Sequence, residues 1–356
     1  MTSTVARILW LSNETPDRNG QGGQRRQYFQ IGALVAGGVD VTVVTNAGHQ
    51  SDTSVRALAH VHRTHPRAWR GLPSTRHGLL MRRLAAQPWD GVVIAHTESW
   101  GTWQALLRRM DSSRVLVDMH NVLSSWHHSQ GRLDEAGRWR EVEAEIESRG
   151  VRVAVCSEKE ASLLGASAPP IVLPHGIDPD EWRAPRMPAR GPVLKLFGTW
   201  GWAPNAAGLR WFLDDVWPRL EQASGWSCHI AGSGVAQPLP RGVQAVGRVG
   251  SVSDFLSDAT AVAVPVHNGV GAPLKYAEAL ASGAPVIATV DGAPLLSCLP
   301  VCVSDDPGRW AAALAEVLRR PTHYERVARH ARAKVLEELS WVAVSKPLLD
   351  WAVQPA

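Results

Sequence analysis

Short runs of aliphatic and β-branched residues alternate along the chain with longer stretches whose apolar positions recur every three or four residues. In the first half the runs are RILWLS (7–12), VDVTVVT (39–45), GVVIAH (91–96), RVLVDMH (114–120), VRVAVCS (151–157) and PIVLPHG (170–176). Runs that are nearly continuous in apolar residues predict strands buried on both faces, as in a parallel sheet covered by helices. Helices are predicted at GGQRRQYFQIGALVAGG and RLDEAGRWREVEAEIESRG. DPDEWRAPRMPARGP (178–192), rich in proline and charge, reads as an interdomain linker. The alternation then resumes at 193–198, 227–233, 243–249, 261–267, 285–290 and 301–305. Helices are predicted at 204–222, 251–258, 272–282, 307–319, 321–338 and 340–352. The pattern specifies two doubly wound α/β domains in tandem, with the ligand expected in a cleft between them.

Composition narrows the function classes. With 356 residues, 45% of them apolar, the chain is long enough for two cores. No run is long enough to span a bilayer, and RILWLS reads as a first strand, not a signal peptide. Cys156, Cys228, Cys298 and Cys302 lie mostly in strand-like contexts, so no disulfide framework is predicted and the cytoplasm is the expected compartment. The net charge of +4 comes from scattered arginines, which disfavours a nucleic-acid partner. Arg-rich segments near Trp69 and Trp103 fit either peripheral contact with anionic lipid or, as the better reading, a solvated face.

In open parallel sheets, ligands bind beyond the C-terminal ends of the strands. His96, His120, His175 and His267 each end an apolar run, without the close second ligand that marks zinc. Two glycine turns precede helices. NGQGG (19–23) could bring backbone amides to an anion, yet it is not the dinucleotide fingerprint, and the second strand ends in Thr45 and Asn46 where an acidic residue would be needed for a nicotinamide cofactor. NGVGAP (268–273) opens a helix whose charges are Lys275 and Glu278. A lysine within a turn of a helix N-terminus suits a diphosphate. The same spacing equally fits an i,i+3 ion pair of about 0.2–0.5 kcal/mol. FGTWGWAPN (197–205) is a third exposed-amide loop, with Asn205 as the expected helix cap; alternatively, Trp200 and Trp202 form a hydrophobic wedge between the domains. DPD (178–180) and CLPVC (298–302) have loose metal-like spacing without supporting partners.

GVGAPLKYAEALASGAPVIAT resembles the donor-site segment of the large family of retaining GT-B glycosyltransferases, the family 4 or group 1 type found in bacteria. The resemblance continues through LFGTWGWAPNAAGLRWFLDDVWPRL, IAGSGV and VGRVGSVSDFLSDATAVAVPV, and more loosely through GGQRRQYFQIGALVAGGVDVTVVT, VDMHN, VCSEKEASLL and LPHGID. It implies an acceptor-binding domain at 1–185, a nucleotide-sugar-binding domain at 186–338, and a tail at 339–356 that packs back on the first. It further implies that Lys275 neutralises the donor diphosphate and Glu278 binds the ribose. The amides of Val270, Gly271 and Ala272 would meet the sugar or phosphate. Gly198 and Thr199 would line the phosphate loop, while Gly232 and the turn Gly247, Arg248 and Val249 would border the base. Gly22 and Gly23 would face the phosphates, and His120 would stand near the transferring sugar. The sequence departs from the family pattern at Val270, where many members carry a glutamate; at Thr199 and Trp200, where many have a basic residue; and at His175, where asparagine is commoner.

The implied activity is transfer of a sugar from a nucleotide diphosphate to a hydroxyl or amine acceptor, with retention and without a metal or other cofactor. Natural-product, glycolipid and polysaccharide acceptors all remain open. His96, Trp100, Trp103, Trp126 and His175 are the candidate acceptor contacts, the tryptophans doubling as candidate core residues. Two alternatives are a UDP-sugar 2-epimerase and a catalytically silent sugar-nucleotide-binding protein.

Overall fold

Seven parallel strands form the first sheet: β1 (Arg7–Ser12), β2 (Asp40–Thr45), β3 (His60–Arg63), β4 (Gly91–Ala95), β5 (Val115–Asp118), β6 (Arg152–Val155) and β7 (Ile171–Val172). Their order is β3-β2-β1-β4-β5-β6-β7. A second parallel sheet holds β8 (Val193–Phe197), β9 (Ser227–Ala231), β10 (Val243–Gly247), β11 (Ala261–Val264), β12 (Val286–Ala288) and β13 (Cys302–Val303), ordered β10-β9-β8-β11-β12-β13. In each sheet the strand order reverses beside the first strand, between β1 and β4 and between β8 and β11. Both reversals create a crevice at the strand C-termini, where ligands of doubly wound folds bind. The computed structural model describes residues 5–20, 22–46, 53–64, 74–165, 168–182, 191–221, 225–268, 274–293 and 301–354.

The apolar runs become strands because both faces are covered. Leu9 and Leu11 of β1 point into a core with Trp100, Trp103 and Ile146, while Ile8 and Trp10 point into a second core with Ile31 and Leu34. β3 is absent from the sequence prediction because HVHR has a single apolar residue; it is an edge strand paired only to β2. The helix expected at 204–222 is interrupted by a π turn, Phe212–Val216, between Ala203–Trp211 and Trp217–Glu221.

The chain forms two compact units, Met1–Gly176 with Trp341–Ala356, and Ile177–Ser340. The division falls earlier than the expected 185/186 because Ile177 and Trp182 are buried in the second unit's core. The final segment belongs to the first unit. Its helices Trp341–Val344 and Lys346–Val353 bring Trp341 face to face with Phe29, 5.2 Å between ring centres, and seat Leu348 and Ala352 beside Ile8 and Trp10. Among the described residues, no helix is long and apolar enough to cross a membrane.

Candidate active site

The helix Gly22–Ala36 follows β1 and changes character along its length. Its first turns bury the polar Arg26, Gln27 and Gln30, and its later turns bury Ile31 and Leu34. The polar end lies over the strand C-termini of the first unit. Arg26, fully buried, clamps Asp118 at the end of β5: Nε donates to Oδ2 at 3.0 Å and Nη2 to Oδ1 at 2.8 Å. Gln30 Nε2 donates to the same Oδ2 at 3.1 Å, and Arg26 Nη1 donates to the Pro174 carbonyl at 3.3 Å. Burial opposes the ionised form of Asp118, but the Arg26 guanidinium and His120 together outweigh it and hold the carboxyl well below its usual range.

His120 is anchored to this pair. Its Nε2 lies 3.5 Å from Asp118 Oδ2, an electrostatic contact that is long for a hydrogen bond. Its ring rests on that of His96, with centroids 3.5 Å apart. Burial and the neighbouring His96 push the His120 pKa down to about 3, so the imidazole is neutral. His96 follows β4 with φ 70°, an uncommon backbone for a residue with a Cβ. Gln27 Nε2 lies 3.0 Å from His96 Nε2, and Gln27 Oε1 accepts from Trp10 Nε1 at 3.2 Å. Glu14 Oε2 approaches the same His96 nitrogen at 3.4 Å. Gly23 permits this packing, since a Cβ there would lie 2.5 Å from His96 Cε1 and 3.2 Å from His120 Nδ1. The cluster therefore presents a neutral imidazole on a rigid charged base.

In the second unit, three loops meet at the ends of β8, β9 and β10. Gly198 N donates to the Ala231 carbonyl at 3.1 Å, and Gly232 N donates to the Gly247 carbonyl at 2.7 Å. Lys275, in the helix Leu274–Ala281, directs its ammonium at this assembly. Its Nζ stands 4.9 Å from the centre of the Trp200 ring, and it occupies the space that a Cβ on Gly198 would need. Burial pushes the Lys275 pKa down to about 7, and the charge of Glu278 opposes that shift. Gly232 has φ 118°, and a Cβ there would meet the Gly198 carbonyl oxygen at 1.7 Å. Gly232→Ala is expected to lower stability by about 1–3 kcal/mol in urea unfolding. Gly201→Ala, at a position with no atom within 4 Å of the new methyl, is the control and should change stability by less than about 0.5 kcal/mol.

The structure thus brings His96, His120 and Gly23 together in one unit, and Gly198, Gly232, Gly247 and Lys275 in the other. Gly22, Thr199 and Arg248 are exposed, while Val249 and Glu278 are half-buried. Val270, Gly271 and Ala272 lie outside the described residues, as do Trp69, Cys298 and Pro273. Several expectations need correction. Trp100 and Trp103 are 2% and 1% exposed within the first unit's core, which removes them as stacking surfaces for an acceptor. Trp126 stays half-exposed, with the Arg132 guanidinium 4.7 Å over its ring. Trp200 is buried in the second unit's core, its Nε1 donating to the Ala231 carbonyl at 2.9 Å. Asn205 is not an N-cap. It sits inside the first turn of Ala203–Trp211 and ties the loop by donating from Nδ2 to the Thr199 carbonyl at 2.8 Å. His175 lies 3.8 Å from Cys156 Sγ and against the edge of Trp341. Asp178 of DPD caps a short turn, accepting from Asp180 N at 3.2 Å. Sequence reading missed Arg26 and Asp118; the available signal was a carboxylate inside the apolar run VLVDM, two residues before His120.

Two family models match the chain, "Glycosyltransferase Family 4" over residues 21–181 and "Glycosyl transferases group 1" over residues 191–320. No curated protein is similar enough to match it. Among solved structures, sucrose-phosphate synthase from Thermosynechococcus elongatus is similar at 17% identity and TM-score 0.69, over 96% of this chain and 97% of that one. Anabaena HepE, solved with UDP and glucose, is similar at 14% identity and TM-score 0.69, over 96% and 98%. A glycosyltransferase from Rickettsia africae ESF-5 is similar at 12% identity and TM-score 0.70, over 98% of each chain. At these identities the likeness is one of fold, and the fold is GT-B.

Proposed function

This chain belongs to the family 4, group 1 glycosyltransferases, and we propose that Lys275 is the group that takes up the charge of its departing nucleoside diphosphate. The protein is a glycosyltransferase that uses a nucleotide sugar, which replaces the epimerase and the silent binding protein as readings of the sequence. The observation that carries the proposal is the aim of the lysine. Its ammonium is directed at the glycine loop after β8 and rests over Trp200, half-buried. Charge developing on the leaving oxygens is best stabilised by a fixed cation in a site of low polarity, and a lysine there does this without a divalent cation. Glu278, one turn along the helix, is assigned to the ribose hydroxyls. Gly232 and the Gly247–Val249 turn are assigned to the border of the base, and the exposed Gly22 to the donor phosphates.

On the first unit, we assign His120 to the transferring sugar. Neutral imidazole accepts or donates a hydrogen bond to a sugar hydroxyl without adding charge near an oxocarbenium-like centre. His96 and Trp126 are the remaining candidates for acceptor contact, and retention of configuration is the proposed stereochemical course. Synthesis of a natural product, glycolipid or polysaccharide in the bacterial cytoplasm is the proposed setting.

The test follows from the depressed lysine. A bound diphosphate favours the charged ammonium, so binding at about pH 8 should take up a proton. Calorimetric titration with UDP, GDP and dTDP in two buffers of different ionisation enthalpy should reveal that uptake for the preferred base. Lys275→Arg should bind with no uptake, because guanidinium is already charged. Equal binding enthalpies in both buffers would remove Lys275 from the diphosphate.

A further inference from the structure

The first unit has a second concave feature, away from the strand C-termini. Parallel register aligns Arg7 with Asp40 and Thr42 with His60, and side chains two apart on a strand share a face. Arg7, Asp40, Thr42, His60 and His62 therefore lie on one face of β1, β2 and β3, towards the N-terminal ends of β1 and β2. The helix Thr75–Ala85 brings Arg83 to this cavity, and the short helix Thr53–Arg56 brings Arg56. Together they line a cavity of about 460 Å³.

Its charge is one-sided. The single lining carboxylate, Asp40, lies 3.9 Å from Arg7 Nε. Arg7 is otherwise engaged, donating to Gln87 Oε1 at 3.0 Å and to the Pro88 carbonyl at 3.2 Å, with its guanidinium 4.9 Å over the Trp89 ring. That pair forms a neutral wall. The same cavity is lined by Arg56 and Arg83, both exposed, and by His60 and His62. Among the described residues Arg83 has no carboxylate partner. His62 feels this crowding: after burial, the charges of Arg83, His60 and Arg56 lower its pKa. Two arginines and two histidines lining a cavity of small-molecule size suit an anion, and a guanidinium fork matches phosphate oxygens.

We propose that this pocket binds a small, soluble phosphate-bearing anion, at a site separate from the donor and acceptor positions. The site does not depend on the roles assigned to Lys275 or His120.

The experiment uses the full chain with histidines isotopically labelled, and inorganic pyrophosphate as the probe. His60→Gln and His62→Gln identify the two resonances. Saturable shifts of both resonances, with a rise in the His62 titration midpoint, are expected. The double variant Arg56→Ala/Arg83→Ala, altered only at exposed positions, should weaken the response by about tenfold or more. Resonances that stay fixed under pyrophosphate, or that move equally in the double variant, overturn the proposal. Response only to phosphatidylglycerol vesicles, and not to phosphatidylcholine vesicles or pyrophosphate, also overturns it and assigns the patch to a lipid surface.

Discussion

Arg26→Ala is expected to lower stability by about 3–5 kcal/mol, more than any other single change at the site. Asp118 would remain, 1% exposed, without its bidentate partner and with only Gln30 and the distant contact of His120. The penalty arises from an uncompensated buried charge, so removing both charges should cost far less. Arg26→Met/Asp118→Leu is therefore expected to recover most of the lost stability in urea unfolding. The folded-state pKa of Asp118 is depressed, so its contribution is complete above the ordinary carboxyl value of about 4 and is lost as the pH falls further. An unpaired buried Asp118 in the variant has a raised pKa, so the gap between wild type and Arg26→Ala should begin to close above about pH 4 and go on closing below it. A gap that stays constant into acid would show that the loss comes from packing instead of charge.

Lys275→Ala is expected to reduce turnover by about 10²–10³-fold, the cost of removing one fixed stabiliser of developing charge. Its half-buried amine is costly to desolvate, so unfolding should be unchanged or slightly improved. Nucleoside diphosphate release from UDP-, GDP- and dTDP-sugars gives the rate, and unfolding of the same sample confirms the fold. A near-wild-type rate for the variant would sink the diphosphate assignment.

These two residues also mark how far the sequence is legible. Strands such as β1 and β11 are plain in the chain because burial on both faces demands continuous apolar runs. β3 is not, because an edge strand needs only one covered face and HVHR satisfies that with Val61. Lys275 is locatable through its glycine loop, yet its target is Trp200, 75 positions earlier in the numbering, which no local pattern encodes. Arg26 and Asp118 form their pair across 92 residues, and each alone reads as an ordinary polar residue. Gly23 stands out in the sequence as a candidate anion loop. In the folded unit its missing Cβ makes room for two imidazoles. Tryptophan is ambiguous for a related reason: Trp100, Trp103 and Trp126 have the same chemistry, yet the first two are core residues and the third is half-exposed.

The first unit is discontinuous in the chain: Trp341, Leu348 and Ala352 complete packing begun by Phe29, Ile8 and Trp10. A ribosome delivers those pieces in the wrong order for easy assembly. The sheet from β1 to β7 and most of its covering helices emerge early, yet the helices Trp341–Val344 and Lys346–Val353 arrive only after the whole second unit has been made. Nascent chains will therefore carry an unfinished hydrophobic surface while Ile177–Ser340, contiguous in sequence, is free to fold first. Circular permutation that joins Ala356 to Met1 and opens the chain between Ser340 and Trp341 would restore a continuous order of synthesis for that unit.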